Sequence, residues 1–192
     1  MSPVTHFLVG WMVANVPRGV GRRERAAIAI AGVAPDLDGL GVIPEVLTRH
    51  SAHPLNWFSE YHHVLGHNVF FAIIVAAVCF AVARQRRWLT TLLAAISFHL
   101  HLLCDVLGGR GPDGYQWPVP YLAPLSERWT WTWSGQWALN AWPNFVVTGV
   151  CLAATFYLAW RRGYSPVEIV SPRADAAFVG ALRQRFPLPA AG

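Results

Sequence analysis

The sequence predicts an all-α membrane protein, a polytopic bundle of about five helices with an aromatic-rich loop outside the membrane. Of its 192 residues, 54% are hydrophobic and 13% are charged, whereas about 25% are charged in an ordinary soluble domain. The apolar residues form long runs, and the basic residues, all Arg, form short clusters between those runs. This pattern indicates membrane topology rather than nucleic-acid binding, so no nucleic-acid partner is expected.

Three apolar runs have the length of a membrane-spanning helix. Residues 69–83 are uninterrupted apolar sequence, and an extension back to Val64 gives the roughly 20 residues that a bilayer requires. Residues 88–107 and 141–160 are of similar length. We expect all three to span the membrane.

Two earlier runs complete the expected five crossings. Residues 4–16 are a short run, and residues 26–43 are interrupted at Pro35 by the sequence PDLDG. Irregular backbone at membrane depth survives only where protein or water covers it. We therefore expect these two helices to pack partly against protein.

Arginine clusters follow the first, third and fifth runs. Their members are Arg18, Arg22, Arg23 and Arg25, then Arg84, Arg86 and Arg87, then Arg161 and Arg162. Because cytoplasmic loops carry the excess of basic residues, the N-terminus is expected outside and the C-terminus in the cytoplasm. Residues 1–162 would form the membrane domain, and residues 163–192 a cytoplasmic tail with a short amphipathic helix.

Residues 45–63 and 108–140 are then the long connections on the non-cytoplasmic side. The second is rich in Trp and contains the alternation WTWTW. Such an alternation is typical of a short strand, but Trp residues also form belts at the level of the lipid headgroups. Both interpretations stay open at this point.

The third long run carries a candidate metal-ligand pair. His101 and Asp105 are four residues apart, so on a helix they project from the same face and can bind one cation. A charged Asp105 facing lipid would cost about 2.5 to 3.5 kcal/mol. A divalent ion, with zinc the expected metal, suits a set of imidazole and carboxylate ligands.

Further candidate ligands occur in three other segments. Asp36 and Asp38 flank Leu37 in the PDLDG turn, between two apolar stretches where an unpaired carboxylate would be costly. In YHHVLGHN, either His62 or His63 can join His67, depending on where the next helix begins. His6 lies near the start of the first run, at the same predicted membrane face.

These segments converge on one face, and the convergence predicts a metal centre. The expected metal ligands are His6, Asp36, Asp38, His62, His67, His101 and Asp105. His50 and His53 lie in the first long loop and are expected to be bystanders. His99 lies off the face of His101 and is expected to support the ligands rather than to bind metal.

The order of these motifs resembles a family of membrane-bound, metal-dependent hydrolases that includes a LexA-binding, inner-membrane-associated hydrolase. That family has an N-terminal His, then PDxD, HRGxTHS and SHxxxD. The corresponding residues here are His6, the turn from Asp36 to Asp38, the two histidines His62 and His67, and the His101/Asp105 pair. The middle motif keeps only its histidines.

The resemblance implies hydrolysis by a protein of the bacterial inner membrane. A more distant resemblance, to zinc-dependent phospholipase C and the single-strand nucleases of the same fold, rests on the order His, Asp, His, HxxxD. Those enzymes bind three zinc ions through further downstream histidines, which are absent here. We therefore expect one or two ions.

The expected reaction is hydrolysis of a phosphoester or another amphipathic substrate, with membrane lipid as the neighbouring partner. A bound divalent ion activates water, and Asp36 or Asp38 would orient that water or accept its proton. Arg110 is the candidate partner for a phosphate group. No protein partner can be identified.

Two other functions fit the same residues. Intramembrane His and Asp side chains can form the path of a metal or proton transporter, although their concentration at one face argues against a path across the membrane. A non-catalytic membrane scaffold with a structural metal is the other alternative, and a closed four-ligand shell would favour it.

Overall fold

The longest helices form the centre of the fold in this computed structural model, which describes residues 1–111 and 114–189. Helix α6 packs against α1, α2 and α5, and α7 packs against α1. The helices are α1 (Pro3–Ala14), α2 (Arg22–Ala31), α3 (Val42–Thr48), α4 (Trp57–Tyr61), α5 (Val69–Val82), α6 (Arg87–Gly108), α7 (Trp142–Arg162) and α8 (Pro172–Arg185). Two 3₁₀ segments, Ala34–Gly41 and Pro166–Ile169, complete the helical structure. The predicted helical class is confirmed.

Among residues 1–111 and 114–189, two helices are long and apolar enough to cross a membrane. Helices α6 and α7 have 22 and 21 residues, which corresponds to about 30 Å at a rise of about 1.5 Å per residue. Helix α2 and residues 34–48, bent by 49°, add a third span if the pair is one broken helix. Helices α1 and α5 have 12 and 14 residues and reach only about 20 Å. The described part of the chain therefore supports two or three spans, and the expected five are not confirmed.

Helix α5 begins at Val69, so the expected extension back to Val64 is wrong. The Asn68 side chain accepts a hydrogen bond of 2.9 Å from the backbone N–H of Phe71 and caps the helix. Its Nδ2 also donates to the carbonyls of Val64 and Leu65. These bonds stabilise a turn before the helix, where an additional helical turn was expected.

The PDLDG sequence interrupts the second run as expected. Pro35 lies in the first turn of the 3₁₀ segment, where its missing N–H leaves no donor unsatisfied. The segment is followed directly by α3, so part of the first long connection is helical. The interruption holds Asp36 and Asp38 at the end of α2.

Apolar side chains cover the outer surfaces of α5 and α7. The exposed ones include Ile73, Ile74 and Val78 on α5, and Phe145 and Val150 on α7. A soluble monomer rarely exposes an apolar surface of this extent. These faces are those expected to contact lipid.

The arginine clusters lie together at one end of the bundle. Arg86 donates to the carbonyl of Arg18 over 3.0 Å, and Arg162 donates to the Asn15 side chain over 3.2 Å. The Glu24 carboxylate, at the same end, accepts from the backbone N–H of Arg84 over 2.9 Å. The opposite end contains the starts of α1, α5 and α7 and the end of α6. Which end faces the cytoplasm stays a prediction.

The aromatic connection contains a two-stranded antiparallel sheet. Strand β1 (Val119–Pro120) pairs with β2 (Thr130–Trp131), which lies within WTWTW. The Tyr121 ring stacks on Trp131 with ring centroids 4.6 Å apart. The strand interpretation of this alternation therefore applies to residues 130–131.

The tail after α7 packs back onto the bundle. Arg25 of α2 forms a two-pronged, buried ion pair with Glu168, with nitrogen–oxygen distances of 2.7 and 2.8 Å. The Arg25 guanidinium also lies over the Tyr164 ring, 3.8 Å from its centroid. Helix α8 contacts α7 and the second 3₁₀ segment.

Candidate metal centre

Helix α6 supplies two groups of the candidate centre from its last two turns. The Nε2 of His101 lies 2.9 Å from Oδ2 of Asp105, so the spacing of four residues brings the two side chains together as predicted. The Nδ1 of His101 lies 2.8 Å from the carbonyl of Gly32. Because a carbonyl only accepts hydrogen bonds, Nδ1 carries a hydrogen, and Nε2 is the atom that His101 could offer to a cation.

His6 reaches the same point from the start of α1. Its ring stacks on His101, with centroids 3.7 Å apart, and its Nε2 lies 3.1 Å from Oδ1 of Asp105. That distance suits an ion pair, but within the described residues neither ring nitrogen of His6 is aligned for a hydrogen bond. The nitrogen of Met1 also contacts Oδ1 of Asp105. His6 is thus a buried imidazole with uncommitted nitrogens.

Asp36 approaches from the 3₁₀ segment after α2. Its Oδ1 lies 3.6 Å from Nε2 of His101, and its Oδ2 is buried without a hydrogen-bond partner among the described residues. One ligand atom each from His6, Asp36, His101 and Asp105 falls within 4.8 Å of the others. These four groups could hold a cation.

Asp38 contacts His67 at Nδ1, the ring nitrogen that points away from the candidate centre. Its Oδ2 accepts a hydrogen bond of 2.8 Å from the N–H of Gly66 and lies 3.0 Å from Nδ1 of His67. Its Oδ1 lies 2.7 Å from Nδ1 of His62. A carboxylate in this position fixes the tautomer and orientation of an imidazole ligand. Asp38 and His62 therefore lie on the Nδ1 side of His67 and not beside Asp105.

His67 turns its other nitrogen into the centre. Its Nε2 lies 3.1 Å from Nε2 of His101 and 3.5 Å from Oδ2 of Asp105. Burial alone would lower the pKa of His67, but the hydrogen bonds and negative charges of Asp105 and Asp38 raise it to about 9. His67 therefore holds a proton at neutral pH that a bound cation would displace.

His63 is the site residue that sequence reasoning did not select. It is buried, and its ring stacks on His67 with centroids 4.4 Å apart. Ligand atoms of His63, His67 and Asp105 also fall within 4.8 Å of one another. His62 and His63 are adjacent in sequence, and no periodicity applies in the turn that holds them, so spacing could not distinguish them.

The remaining histidines lie away from the centre. His99 is 2.8 Å from the Tyr121 hydroxyl and 2.7 Å from the carbonyl of Ala95, so it contacts the aromatic connection rather than the metal-ligand candidates. His50 and His53 are exposed in the first long connection.

A cavity of about 230 Å³ leads to the carboxylates. It is lined in part by Asp36, Asp105, His62, His63 and Trp117. A larger pocket of about 530 Å³ shares the last three of these residues and so lies beside the cavity.

Arg110 lies beside this cavity. Gly109 and Gly111, its two neighbours, line the cavity wall, and Arg110 itself forms a backbone bridge with Ala138. Arg110 is not itself among the lining residues, so its contact with a phosphate group stays a prediction.

A known membrane family covers most of the chain. The family model described as YdjM inner membrane protein matches residues 1–171, which include every candidate ligand. Neither the curated proteins nor the solved structures contain a significant match. The family description supports an inner-membrane location and names no activity. The chain belongs to the YdjM inner membrane protein family.

Proposed function

We propose that the chain is a membrane-embedded, metal-dependent hydrolase that acts on a phosphoester or lipid-like substrate at the non-cytoplasmic face. One observation carries the proposal: one ligand atom each from His6, Asp36, His101 and Asp105 falls within 4.8 Å of the others, beside a cavity that Asp36 and Asp105 line. The arginine clusters lie at the other end of the bundle, which supports a non-cytoplasmic position of the centre.

The donor set fits a divalent cation. Imidazole and carboxylate ligands are those that zinc and related ions take in catalytic sites. Each buried polar atom without a partner costs about 1 to 3 kcal/mol. Both ring nitrogens of His6 and one oxygen of Asp36 are in this position, and a cation bound to one nitrogen of His6 would remove part of that cost.

Different side chains of the site would have different roles in hydrolysis. A divalent ion, when bound, lowers the pKa of a water molecule toward about 7 and polarises the substrate oxygen. Asp36 has a buried, uncommitted oxygen beside the cavity and would accept a proton from the attacking water. Asp38 would hold His67 in place, because both of its oxygens are already engaged. Arg110 would neutralise a phosphate group from the cavity rim.

The form of the cavity supports catalysis over the two alternatives. Asp36 and Asp105 line a cavity of about 230 Å³ that lies beside the larger outer pocket, whereas a structural metal is enclosed by its ligands. The candidate ligands gather at one end of the bundle, whereas a transport path requires polar groups at successive depths. The outer pocket has Phe58 and Trp117 in its walls, which suits an amphipathic substrate.

A hydrolysis screen with matched variants tests the proposal. The purified full chain, loaded with zinc or manganese, would be assayed against soluble phosphoesters and phospholipid vesicles. We expect activity that a chelator abolishes and that metal restores. Asp36→Asn should lose at least a hundredfold in kcat, whereas Glu45→Gln, an exposed carboxylate bonded to Ser59, should keep parental activity. Metal binding without hydrolysis of any substrate class would favour the scaffold, and ion uptake into proteoliposomes would favour the transporter.

A further inference from the structure

His63 combines burial with an uncommitted nitrogen beside the candidate centre. The side chain is 94% buried, since its relative exposure is 6%, and its Nδ1 has no hydrogen-bond partner among the described residues. Ligand atoms of His63, His67 and Asp105 lie within 4.8 Å of one another. We propose that these three residues form a second cation site and that Asp105 bridges the two ions. The inference rests on the proposed function and deepens it.

The backbone at His63 is held in an unusual conformation. Its φ angle is +71°, in the left-handed region that residues with a Cβ rarely adopt. Backbone strain of this kind persists where the surrounding structure imposes it, and it clusters at functional sites. At His63 it directs two successive imidazoles inward: His62 bonds to Asp38, and His63 stacks on His67.

Trp117 closes one side of this group. Its ring meets His63 edge-on, with centroids 4.7 Å apart, and meets His62 at 4.9 Å. The indole therefore packs against His63. A ligand-forming imidazole held in this way needs little reorganisation when a cation binds.

Asp105 lies between the two proposed sites, because its Oδ2 faces one histidine of each, His101 and His67. Oδ1 lies 3.1 Å from Nε2 of His6, whereas Oδ2 lies 2.9 Å from His101 and 3.5 Å from His67. His6, His101 and Asp36 would complete the first site, and His63 and His67 the second. Two-metal sites of this kind clamp both the attacking and the leaving oxygen in phosphoester hydrolysis.

The charge of the cluster also favours two ions. Asp36, Asp38 and Asp105 carry three negative charges when ionised. With neutral histidines and the N-terminal ammonium of Met1, which contacts Asp105, one divalent ion leaves the cluster neutral, whereas two leave it net positive and so attract an anionic phosphoester. The second ion would therefore favour binding of an anionic substrate at this centre.

Metal counting on the full chain tests the second site. Manganese-loaded parent should contain two ions per chain and give the broadened electron paramagnetic resonance spectrum of a coupled pair. His63→Asn is the informative variant, because Asn tolerates a positive φ angle better than most residues. It should retain one ion and give the spectrum of isolated manganese. His99→Gln, at a histidine bonded to Tyr121, should retain two coupled ions.

Each alternative result has a distinct meaning. One ion in the parent, lost in Asp105→Asn, would overturn the second site and leave the proposed metal centre intact. Loss of the second ion in His62→Asn, but not in His63→Asn, would move that site to the group of Asp38, His62 and His67 and overturn the assignment to His63. Absence of any ion from the parent would overturn both the second site and the proposed function.

Discussion

His67 and His101 face each other through their Nε2 atoms, which lie 3.1 Å apart. The Nδ1 of His101 is engaged by the carbonyl of Gly32, and that of His67 by Asp38. Two neutral rings in these tautomers would direct lone pairs at each other. A proton on His67 or a cation between the rings removes the repulsion. The relationship links protonation and metal binding in this centre.

Asp38→Asn should weaken metal binding without removing a ligand. The carboxylate orients His67 and His62 through their Nδ1 atoms, and loss of such an orienting group lowers metal affinity about 10- to 100-fold. Competition titration with a zinc chelator measures the effect. Glu45→Gln is the matched control. Unchanged affinity in Asp38→Asn would mean that His67 does not depend on this carboxylate.

Metal affinity should increase with pH up to about 9, the raised pKa of His67. Below that pH a cation must displace the proton from Nε2, so zinc affinity should fall as the pH falls, approaching tenfold per unit. Titrations at pH 7 and 8 in the same detergent measure this. A pH-independent affinity would exclude His67 from the ligands.

The chelated protein should show the opposite dependence in its stability. The pKa of His67 is raised from its usual value of 6.5 to about 9 in the folded state, so the stabilisation is complete below about pH 6.5 and disappears as the pH rises through about 9. Melting temperatures of the chelated protein should therefore decrease across that interval. The metal-loaded protein, whose His67 has no proton to lose, should change less. If the melting temperatures of the chelated and the metal-loaded protein changed equally with pH, this account would be contradicted.

The parts of the site that sequence predicted are those governed by helix geometry. His101 and Asp105 lie on one regular helix, so their spacing alone predicted their contact. The choice between His62 and His63 depends on a left-handed residue in a turn, which no periodicity reveals. The orienting role of Asp38 depends on Gly66, 28 positions away.

The length of α5 shows a different limit. We expected a helix from Val64, because the uninterrupted apolar run of residues 69–83 is shorter than a bilayer requires. The residue that marks the start of the helix is Asn68, because its side chain caps the helix, which begins at Val69. Apolar content therefore overestimated the span, whereas the cap residue was present in the sequence.

Cysteine labelling should place the two ends of the bundle on opposite sides of the membrane. Single cysteines at Arg86 and at Trp129, which is 65% exposed, would be introduced into a chain without its three native cysteines. A membrane-impermeant reagent should label position 129 from the outside and position 86 only after the membrane has been permeabilised. Labelling of both positions from one side would refute the topology.

Glu168→Gln should destabilise the protein by about 3 kcal/mol, because breaking a buried ion pair leaves an uncompensated charge. Arg25 would keep its contacts with Val20 and Tyr164 but lose its carboxylate partner. Chemical denaturation in detergent measures the loss. Arg185→Gln, at an exposed position of α8, should change stability by less than about 0.5 kcal/mol. Equal stability of both variants would show that the tail does not depend on this pair.

The metal content of Asp105→Asn tests the central claim most directly. Asp105 contacts His6 and His101 and is buried among the candidate ligands, and Asn preserves its size while removing its charge. Elemental analysis of this variant, of His99→Gln and of the parent compares the three under identical purification. We predict that Asp105→Asn loses most of its bound metal while His99→Gln retains the parental content. Equal metal content in the parent and Asp105→Asn, or no metal in any of the three proteins, would contradict the account.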